Sequence, residues 1–140
     1  MYLVIDTWIW EKAQTSESPE SLELLAKILR KCEYKIVCDP NGEIIEEYKK
    51  HIRELRYLFR AMVQKDKIVP RPKSSLKIKD FDRSDLKFVE VAITTPDKII
   101  VSGNSDFFHL KERPEVKKLQ VKILTPMEAL NILNDEQNNK

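Results

Sequence analysis

Residues 84–108 read SDLKFVEVAITTPDKIIVSGNSDFF, and this stretch decides the fold. Its apolar residues first recur at helical spacing, between 86 and 93, and then form a continuous run within 98–102. A helix followed after a short connection by a buried strand is a building unit of parallel α/β sheets. The strand ends in a polar turn that holds one of the two glycines of the chain, and this turn predicts a functional site.

The same alternation of strand and helix extends in both directions from this stretch. Strands are predicted for YLVID (2–6), YKIVC (34–38), KIV (67–69), 98–102 and 119–124. Helices are predicted from Ser18 onward, from 44 through 63, from Asp82 onward and from Thr125 onward, with a polar connection after the first strand. Because these elements alternate with short connections, we expect an α/β fold with helices on both faces of a parallel sheet.

The length and composition indicate one globular unit. A chain of 140 residues predicts a single domain, residues 1–135, followed by a polar tail at 136–140. No stretch approaches the apolar length of a membrane span and the first residues do not resemble a signal peptide, so we expect a cytoplasmic protein with no membrane partner. The net charge of +2 is too small to indicate nucleic-acid binding by itself.

Several conspicuous residues predict structural roles rather than a site. Cys32 and Cys38 fit no metal pattern and are expected to be partly buried free thiols. His51 and His109 are expected at the surface or in packing, because neither has a second histidine at ligand spacing. The basic segment 70–80, PRPKSSLKIKD, is expected to be the most exposed and most mobile part of the chain.

Acidic residues follow or flank the predicted strands. In parallel sheets, ligands bind beyond the carboxyl ends of the strands, where Asp6 and the turn VSGNSD would lie. Carboxylates gathered at one edge repel each other, and Mg²⁺ or Mn²⁺ is the usual reason for gathering them. The residues alone leave several choices open, because a single aspartate at a helix start is more often a cap. The candidates are Asp6, Glu46 or Glu47, Asp82 or Asp85, and Asn104 with Asp106.

Four segments in order give the chain a family resemblance. They are YLVIDTW at the first strand, EIIEEYKKHI on the third helix, the central stretch quoted above, and VKILTPMEAL near the end. With these segments the chain resembles PIN-domain ribonucleases, in particular the VapC-like toxin components of toxin–antitoxin systems. The resemblance implies a three-layer α/β/α PIN-like fold with a mostly parallel central sheet of about five strands. It also implies metal-dependent hydrolysis of RNA.

The resemblance assigns roles to individual residues. It implies that the acids hold Mg²⁺ or Mn²⁺ for catalysis, directly or through water, while Asn104 is a neutral ligand or a substrate contact. Glu47 matches the helix acid better than Glu46 does, and Ser102 would be a hydroxyl that orients a carboxylate. The implied catalytic and metal-holding acids are Asp6, Glu47, Asp85 and Asp106.

Two positions depart from the family pattern. Asn104 stands where the family has its fourth acid, which removes up to one negative charge and weakens the expected metal binding. Trp8 stands where the family commonly has asparagine; with Trp10, it is expected to pack near the site or at a subunit contact. These departures keep open a catalytically weakened PIN fold that binds RNA or protein. A response-regulator-like domain is disfavoured, because it needs paired acids near the start and only Asp6 is there.

RNA binding requires positive charge near the acidic centre. One candidate set lies on the third helix, although charges at this spacing are more often a solvated face. A second set lies on the segment 70–80 and is the better candidate for RNA contact. Phe107 and Phe108 are expected in the core, with base stacking by one of them as the alternative. The resemblance further implies a homodimer and an antitoxin lying across the site. The candidates on the third helix are Lys49 and Arg53, with Lys50, Arg56 and Arg60. The candidates on the segment 70–80 are Arg71 and Lys73, with Lys77 and Lys79.

Overall fold

The computed structural model describes residues 1–78 and 82–138, with the backbone alone for Arg83 and for residues 136–138. Lys79, one of the predicted RNA contacts, lies outside the described residues. Strands and helices alternate along the chain, as the sequence predicts. In order they are β1 (Tyr2–Ile5), α1 (Thr7–Ala13), α2 (Pro19–Arg30), β2 (Lys35–Cys38), α3 (Glu43–Lys49), a 3-10 turn (Arg53–Leu55), α4 (Arg56–Gln64), β3 (Ile68–Pro70), α5 (Arg83–Ala92), β4 (Ile99–Val101), α6 (Ser105–Lys111), α7 (Pro114–Lys117), β5 (Lys122–Leu124) and α8 (Pro126–Asn138).

The described strands form one parallel sheet in the order β3-β2-β1-β4-β5. β1 lies at the centre, where Val4 pairs with Ile100 and Ile5 with Val101 of β4. The chain builds outward from β1 to β3 and then returns to the other side of β1 with β4. The gap between β1 and β4 is therefore the point at which the direction of winding reverses, and this is where α/β folds bind ligands.

Helices cover the sheet as the predicted α/β class requires. α5 lies against β1, β2 and β4, whereas α2 packs against α1 and α8. Right-handed crossovers place the helices of the two winding directions on opposite faces, which is consistent with a three-layer α/β/α fold. Among the residues described, no helix is both long enough and apolar enough to cross a membrane.

An aromatic cluster fixes the helices beside β1. The ring of Trp10 lies 5.6 Å from that of Tyr48 and 5.7 Å from that of Phe59, with tilted or edge contacts. The Tyr48 hydroxyl donates a hydrogen bond to the carbonyl of Ile5, the last residue of β1. Full burial of a large apolar side chain contributes roughly 1.5–3 kcal/mol, so this cluster anchors α1, α3 and α4 close to the strand end.

Three short helices were not predicted. Residues 7–13 form α1 where a polar connection was expected, and α6 and α7 follow the turn after β4. Thr7-Trp-Ile-Trp10 is rich in residues that favour strands, so local propensity argues against a helix. Burial of Ile9 and Trp10 in the core stabilises α1 instead. Tertiary packing therefore overrides propensity in this segment.

The predicted third helix is not continuous between 44 and 63. α3 ends at Lys49 and α4 begins at Arg56, with the 3-10 turn between them. The amide of His51 donates to the carbonyl of Tyr48 at 2.8 Å, a three-residue bond that ends the α-helical pattern. Apolar residues keep the same spacing in a straight helix and in a helix interrupted by a tight turn. Periodicity alone could not distinguish the two.

The segment 70–80 is less exposed than predicted. Its described part is attached to α5, because the amide of Leu76 donates to Glu90 Oε2 at 2.8 Å and the amide of Ser74 donates to the Glu90 carbonyl at 3.0 Å. Ile78 is buried in the core. The prediction of partly buried thiols also needs correction, because Cys38 is buried whereas Cys32 is exposed, although both are free.

The predicted capping signals are confirmed at two helix starts. The Ser18 hydroxyl accepts a hydrogen bond from the amide of Ser21 and so caps α2. Before α8, the Thr125 hydroxyl accepts from the Glu128 amide at 3.1 Å, while Glu128 Oε1 accepts from the Thr125 amide at 3.0 Å. These reciprocal bonds form a capping box. α8 continues to Asn138 and so includes part of the predicted polar tail.

Candidate active site

Asp6 lies at the end of β1, beside the reversal point of the sheet. Its amide donates to the Val101 carbonyl at 3.0 Å, which fixes it to the end of β4. Its backbone is extended and its carboxyl group turns inward, so the residue is only 4% exposed. The Ser102 hydroxyl donates to Asp6 Oδ2 at 2.7 Å. Ser102 thus makes the contact with a carboxylate that the resemblance implied.

Asp85 faces Asp6 from the first turn of α5. Asp82 is the cap of this helix, because its Oδ1 accepts from the Ser84 amide at 2.9 Å. Asp82 is therefore engaged as the helix cap, and Asp85 is the aspartate of the two that lines the site. Both Asp6 and Asp85 line an acidic pocket of about 210 Å³. The pocket is lined by Asp6, Thr7, Trp8, Glu11, Glu47, His51, Asp85 and Asn104.

Burial and like charge make ionisation of this aspartate pair costly. Burial raises the pKa of Asp6 to about 7, the Ser102 hydrogen bond opposes this rise, and the carboxylates of Asp85 and Glu47 add to it. Burial also raises the pKa of Asp85 to about 6, with further contributions from Asp82, Asp106 and Glu47. Neither aspartate forms an ion pair with a described residue. The charge of Lys87 opposes the rise at Asp85, although Lys87 forms its ion pair with Glu47.

Glu47 enters the acidic pocket from α3 and, unlike the aspartates, has a cation of its own. Its Oε1 lies 2.5 Å from Lys87 Nζ, and its Oε2 accepts a hydrogen bond from the Thr7 hydroxyl. Glu46 points to solvent and forms an exposed ion pair with Lys49. The structure thus brings Glu47, rather than Glu46, to the predicted site.

Lys87 is the cation of this site that sequence reasoning missed, and the pocket residues Thr7 and Glu11 were not predicted either. Its side chain is only 8% exposed, and its Nζ lies 5.1 Å from the centre of the Phe88 ring. Lysine is almost never buried without a partner. Lys87 and Glu90 are the two charged residues in the otherwise apolar stretch from Leu86 to Ala92, so buried charge was readable from the sequence, although the partner of Lys87 was not.

Asn104 and Asp106 begin α6 at the rim of the pocket. The side-chain oxygen of Asn104, Oδ1, accepts from the backbone amide of Asp106 at 3.0 Å. The backbone amide of Asn104 donates to the Ser102 hydroxyl at 3.0 Å. The amide oxygen of Asn104 thus serves as a helix cap. The Asp106 carboxylate is exposed and does not line the pocket, but its charge contributes to the raised pKa of Asp85.

Trp8 forms a wall that the acidic pocket shares with a second cavity. The second cavity measures about 300 Å³ and is lined by Trp8, Gly103, Phe108 and Met127, among others. Gly103 lies directly under the indole, since a Cβ at this position would lie 2.2 Å from Trp8 Cη2. Trp8 therefore lies beside the acidic pocket, one of the two positions expected for it.

The other predicted aromatic and histidine positions divide between core and surface. Trp10 and Phe107 are fully buried, and Phe107 contacts Phe88 with ring centres 6.0 Å apart. His109 is exposed. His51 is also exposed, but it lines the acidic pocket, where its Nδ1 lies 2.9 Å from Glu11 Oε1. The sequence assigned His51 to the surface without indicating this position.

The predicted RNA contacts differ in how far the fold already uses them. Arg71 donates to the Thr94 carbonyl at 2.8 Å and lies over the ring of Tyr2, so its guanidinium has a structural role. Lys73 lies 3.7 Å from a Glu43 carboxylate oxygen. Lys49 pairs with Glu46, whereas Arg53 lines a separate exposed cleft on the surface. Of these four residues, Arg53 is the one most available to a ligand.

Comparisons with known proteins provide no family assignment. No protein-family model, no curated protein and no solved structure matches the chain. Within residues 1–78 and 82–138, no three His, Cys, Asp or Glu side chains form a group that could hold a metal ion. The acidic pocket thus offers the pair Asp6 and Asp85, because its other two acids, Glu47 and Glu11, already contact Lys87 and His51.

Proposed function

We propose that this chain is a metal-dependent endoribonuclease of the PIN type, which hydrolyses RNA phosphodiester bonds as the toxin component of a toxin–antitoxin pair. One observation carries the proposal. Asp6 and Asp85 line the same pocket at the reversal point of the sheet, and neither forms an ion pair with a described residue. Ionising a buried carboxyl group beside a half-buried one is costly unless a cation neutralises them.

The donor set of the pocket fits Mg²⁺ or Mn²⁺. Mg²⁺ keeps several of its waters and is commonly bound through one or two carboxylates together with substrate phosphates. Asp6 and Asp85 would supply these carboxylates, and Asp106 lies close enough to influence the charge of Asp85. A bound ion would polarise the phosphate and lower the pKa of a coordinated water. Without a cation, the two aspartates would repel the phosphate of RNA.

The remaining residues of the acidic pocket hold these groups in position. Ser102 fixes one oxygen of Asp6 and also accepts from the amide of Asn104, so it links β1 to the start of α6. Thr7 and Lys87 fix both oxygens of Glu47. In this proposal, Glu47 is a positioning residue as long as it stays paired with Lys87. The aspartate pair contacts the ion.

The test is manganese-dependent cleavage of a labelled single-stranded RNA. Wild-type protein is expected to cleave, and Asp6→Asn or Asp85→Asn is expected to abolish cleavage while leaving the chain folded. Asp135→Asn is the matched control, because it removes the charge of an exposed aspartate on α8. Equal cleavage by the wild type and both active-site variants would contradict the proposal.

A second candidate function is a catalytically weakened PIN fold that binds RNA or protein. Two observations favour it: the amide of Asn104 replaces the fourth acid and caps α6, and Lys87 neutralises Glu47. Calorimetric titration with Mn²⁺ separates the candidates. If the chain is a ribonuclease, the wild type is expected to bind Mn²⁺ and the Asp6→Asn variant is not. If it is the weakened module, neither protein is expected to bind Mn²⁺, although the wild type still binds RNA.

The proposed partners rest on the resemblance and need their own measurements. A homodimer is expected to give twice the chain mass of 16.5 kDa in light scattering. An antitoxin is expected to be encoded by a neighbouring reading frame and to inhibit RNA cleavage when it is added to the protein. Monomeric mass would remove the dimer from the proposal, and a neighbouring product without inhibitory effect would remove the toxin assignment.

A further inference from the structure

An exposed basic and aromatic surface lies on the 3-10 turn and the first turns of α4. It consists of Arg53, Arg56, Tyr57 and Arg60, and we refer to it as the Tyr57 surface. Tyr57 is 66% exposed, although tyrosine usually covers its ring at least in part. An open cleft of about 270 Å³ runs along this surface, lined by Arg53, Glu54, Arg56 and Tyr57.

The ring of Tyr57 holds two guanidinium groups beside it. The Arg56 guanidinium carbon lies 5.2 Å from the ring centre, and that of Arg60 lies 5.7 Å from it. These distances allow cation–π contacts. The two guanidinium groups and the ring thus form one exposed group. Its positive charge can contact a phosphate, and its flat faces can stack on a base.

The described residues neutralise the positive charge of the Tyr57 surface only in part. None of its three arginines forms an ion pair with a described residue, although Lys12, Lys73 and Lys87 all do. Like charges three and four residues apart on a helical surface repel each other. Glu54 is the one acid in the cleft, so the group retains a net charge of +2. A polyanion would relieve this repulsion.

The side chain of Gln14 connects the Tyr57 surface to the acidic pocket. Gln14, directly after α1, donates to the carbonyl of His51 and accepts from the Glu54 amide at 2.6 Å. His51 lines the acidic pocket and Arg53 lines the cleft. Two residues span at most about 7 Å, so the two sites are close neighbours on the surface.

We propose that the Tyr57 surface binds single-stranded nucleic acid, with a base stacked on the Tyr57 and arginine planes and the backbone phosphates against the three guanidiniums. The occupant is a flexible polyanion with flat bases, because a duplex hides its base faces and a simple anion has none. The identification of the strand as RNA rests on the proposed function. The Tyr57 surface then holds the strand beside the acidic pocket.

Binding is tested in EDTA, so that cleavage does not interfere. The probe is a fluorescein-labelled single-stranded oligoribonucleotide followed by anisotropy. Tyr57→Ala is expected to weaken binding roughly 5- to 100-fold, whereas Tyr57→Phe, which keeps the ring, is expected to bind like wild type. Leu22→Ala is the control, since it shortens another exposed apolar side chain. Equal affinities of wild type and Tyr57→Ala would overturn the inference.

The arginines are tested through the salt dependence of the same binding. Arg56→Ala and Arg60→Ala are each expected to lower the slope of log affinity against log salt by about 0.7, the value for one phosphate contact on a single strand. Arg30→Ala, which removes an exposed arginine of α2, is expected to leave the slope unchanged. Equal slopes in all three variants, or equal competition by duplex RNA, would contradict the proposal.

These measurements keep the two proposals separable. If Asp6→Asn abolishes cleavage while Tyr57→Ala binds normally, the ribonuclease proposal is supported and the Tyr57 surface is rejected. If Tyr57→Ala weakens binding while wild type and Asp6→Asn behave alike in cleavage, the surface is supported and the ribonuclease is rejected. A 2-aminopurine base that is quenched by wild type and Tyr57→Phe, but not by Tyr57→Ala, further supports stacking.

Discussion

The two sides of the acidic pocket neutralise their charge in different ways. On one side, Glu47 is paired with Lys87 and accepts a hydrogen bond from Thr7, so both of its oxygens are satisfied within the fold. On the other side, neither Asp6 nor Asp85 forms an ion pair with a described residue, and the pKa of each is raised, although Lys87 opposes the rise at Asp85. One side is therefore complete in the folded chain, whereas the other requires a proton or an added cation.

This difference shows why counting acids is a poor guide to a metal site. Four carboxyl groups line the acidic pocket, those of Asp6, Glu11, Glu47 and Asp85, but Lys87 already neutralises Glu47 and His51 contacts Glu11. What remains for a ligand is a pair. The four predictions below alter the two sides separately, beginning with the largest expected effect.

Removal of the lysine is expected to have the largest effect on stability. Lys87→Met leaves Glu47 among other carboxylates without its partner, and we expect the free energy of unfolding to fall by roughly 2–4 kcal/mol near neutral pH. Urea unfolding measures this loss. Lys117→Met is the control, because it breaks the exposed pair with Glu112 and is expected to cost at most about 1 kcal/mol. A loss as small as that of the control would contradict a buried ion pair.

The aspartate side predicts a stability that falls as pH rises. The pKa of Asp6 is raised from 3.8 to about 7, so the folded chain binds this proton more tightly than the unfolded chain does. The stabilisation is complete below pH 4 and is lost as pH rises towards 7. Between pH 5 and 8, Asp6 alone is expected to remove roughly 2–3 kcal/mol from the metal-free chain.

Comparison with Asp6→Asn isolates this contribution. The variant cannot ionise at this position, so its unfolding free energy is expected to decline less between pH 5 and 8 than that of wild type. Asp135→Asn, the surface control, is expected to follow wild type. Parallel pH profiles for wild type and Asp6→Asn would show that the carboxyl group of Asp6 does not carry the raised pKa.

Restoring an acid at position 104 is expected to strengthen the aspartate side. Asn104→Asp keeps a good helix cap and adds a negative charge at the rim of the acidic pocket. We expect Mn²⁺ to bind about tenfold more tightly, which corresponds to about 1.4 kcal/mol. Calorimetry measures the change. Asn104→Ser retains a cap without charge and is expected to leave the affinity unchanged, so an equal gain in both variants would argue against a role for charge.

The smallest expected effect concerns the wall of the pocket. Gly103→Ala places a Cβ within 2.2 Å of Trp8 Cη2, so the indole must move. Because Trp8 is only partly buried and its ring can shift, we expect a loss of about 1 kcal/mol together with a change in tryptophan fluorescence. In a Trp8→Leu background the same substitution is expected to cost almost nothing. A full cost in that background would assign the strain to another contact.

Much of the fold was predictable because its signals are local. The apolar runs of β1, β2 and β4, the Ser18 cap and the Thr125–Glu128 box all depend on neighbouring residues, and the structure confirms them. α1 was not predictable in this way. Its residues favour strands, and its helix exists because Trp10 packs on Tyr48 and Phe59, which lie far along the chain.

The residues of the candidate site also differ in whether local sequence signals predict them. The sequence predicted that Asp6 and the turn after β4 would meet, because the carboxyl ends of parallel strands share one edge of the sheet. It also predicted a hydroxyl–carboxylate contact for Ser102. It could not predict that Asn104 would cap α6 or that Lys87 would reach Glu47, because both depend on where helices end and how they pack.

By itself, the sequence determined the parallel α/β architecture and the edge of the sheet at which acids gather, since hydrophobic periodicity and strand order follow from local patterns. Only the tertiary structure decided which of those acids have an ion-pair partner. That outcome depends on burial and on partners 40 residues apart, as with Glu47 and Lys87. Whether a charge is compensated in a folded chain depends on which groups lie close in space, and their spacing along the sequence does not determine this.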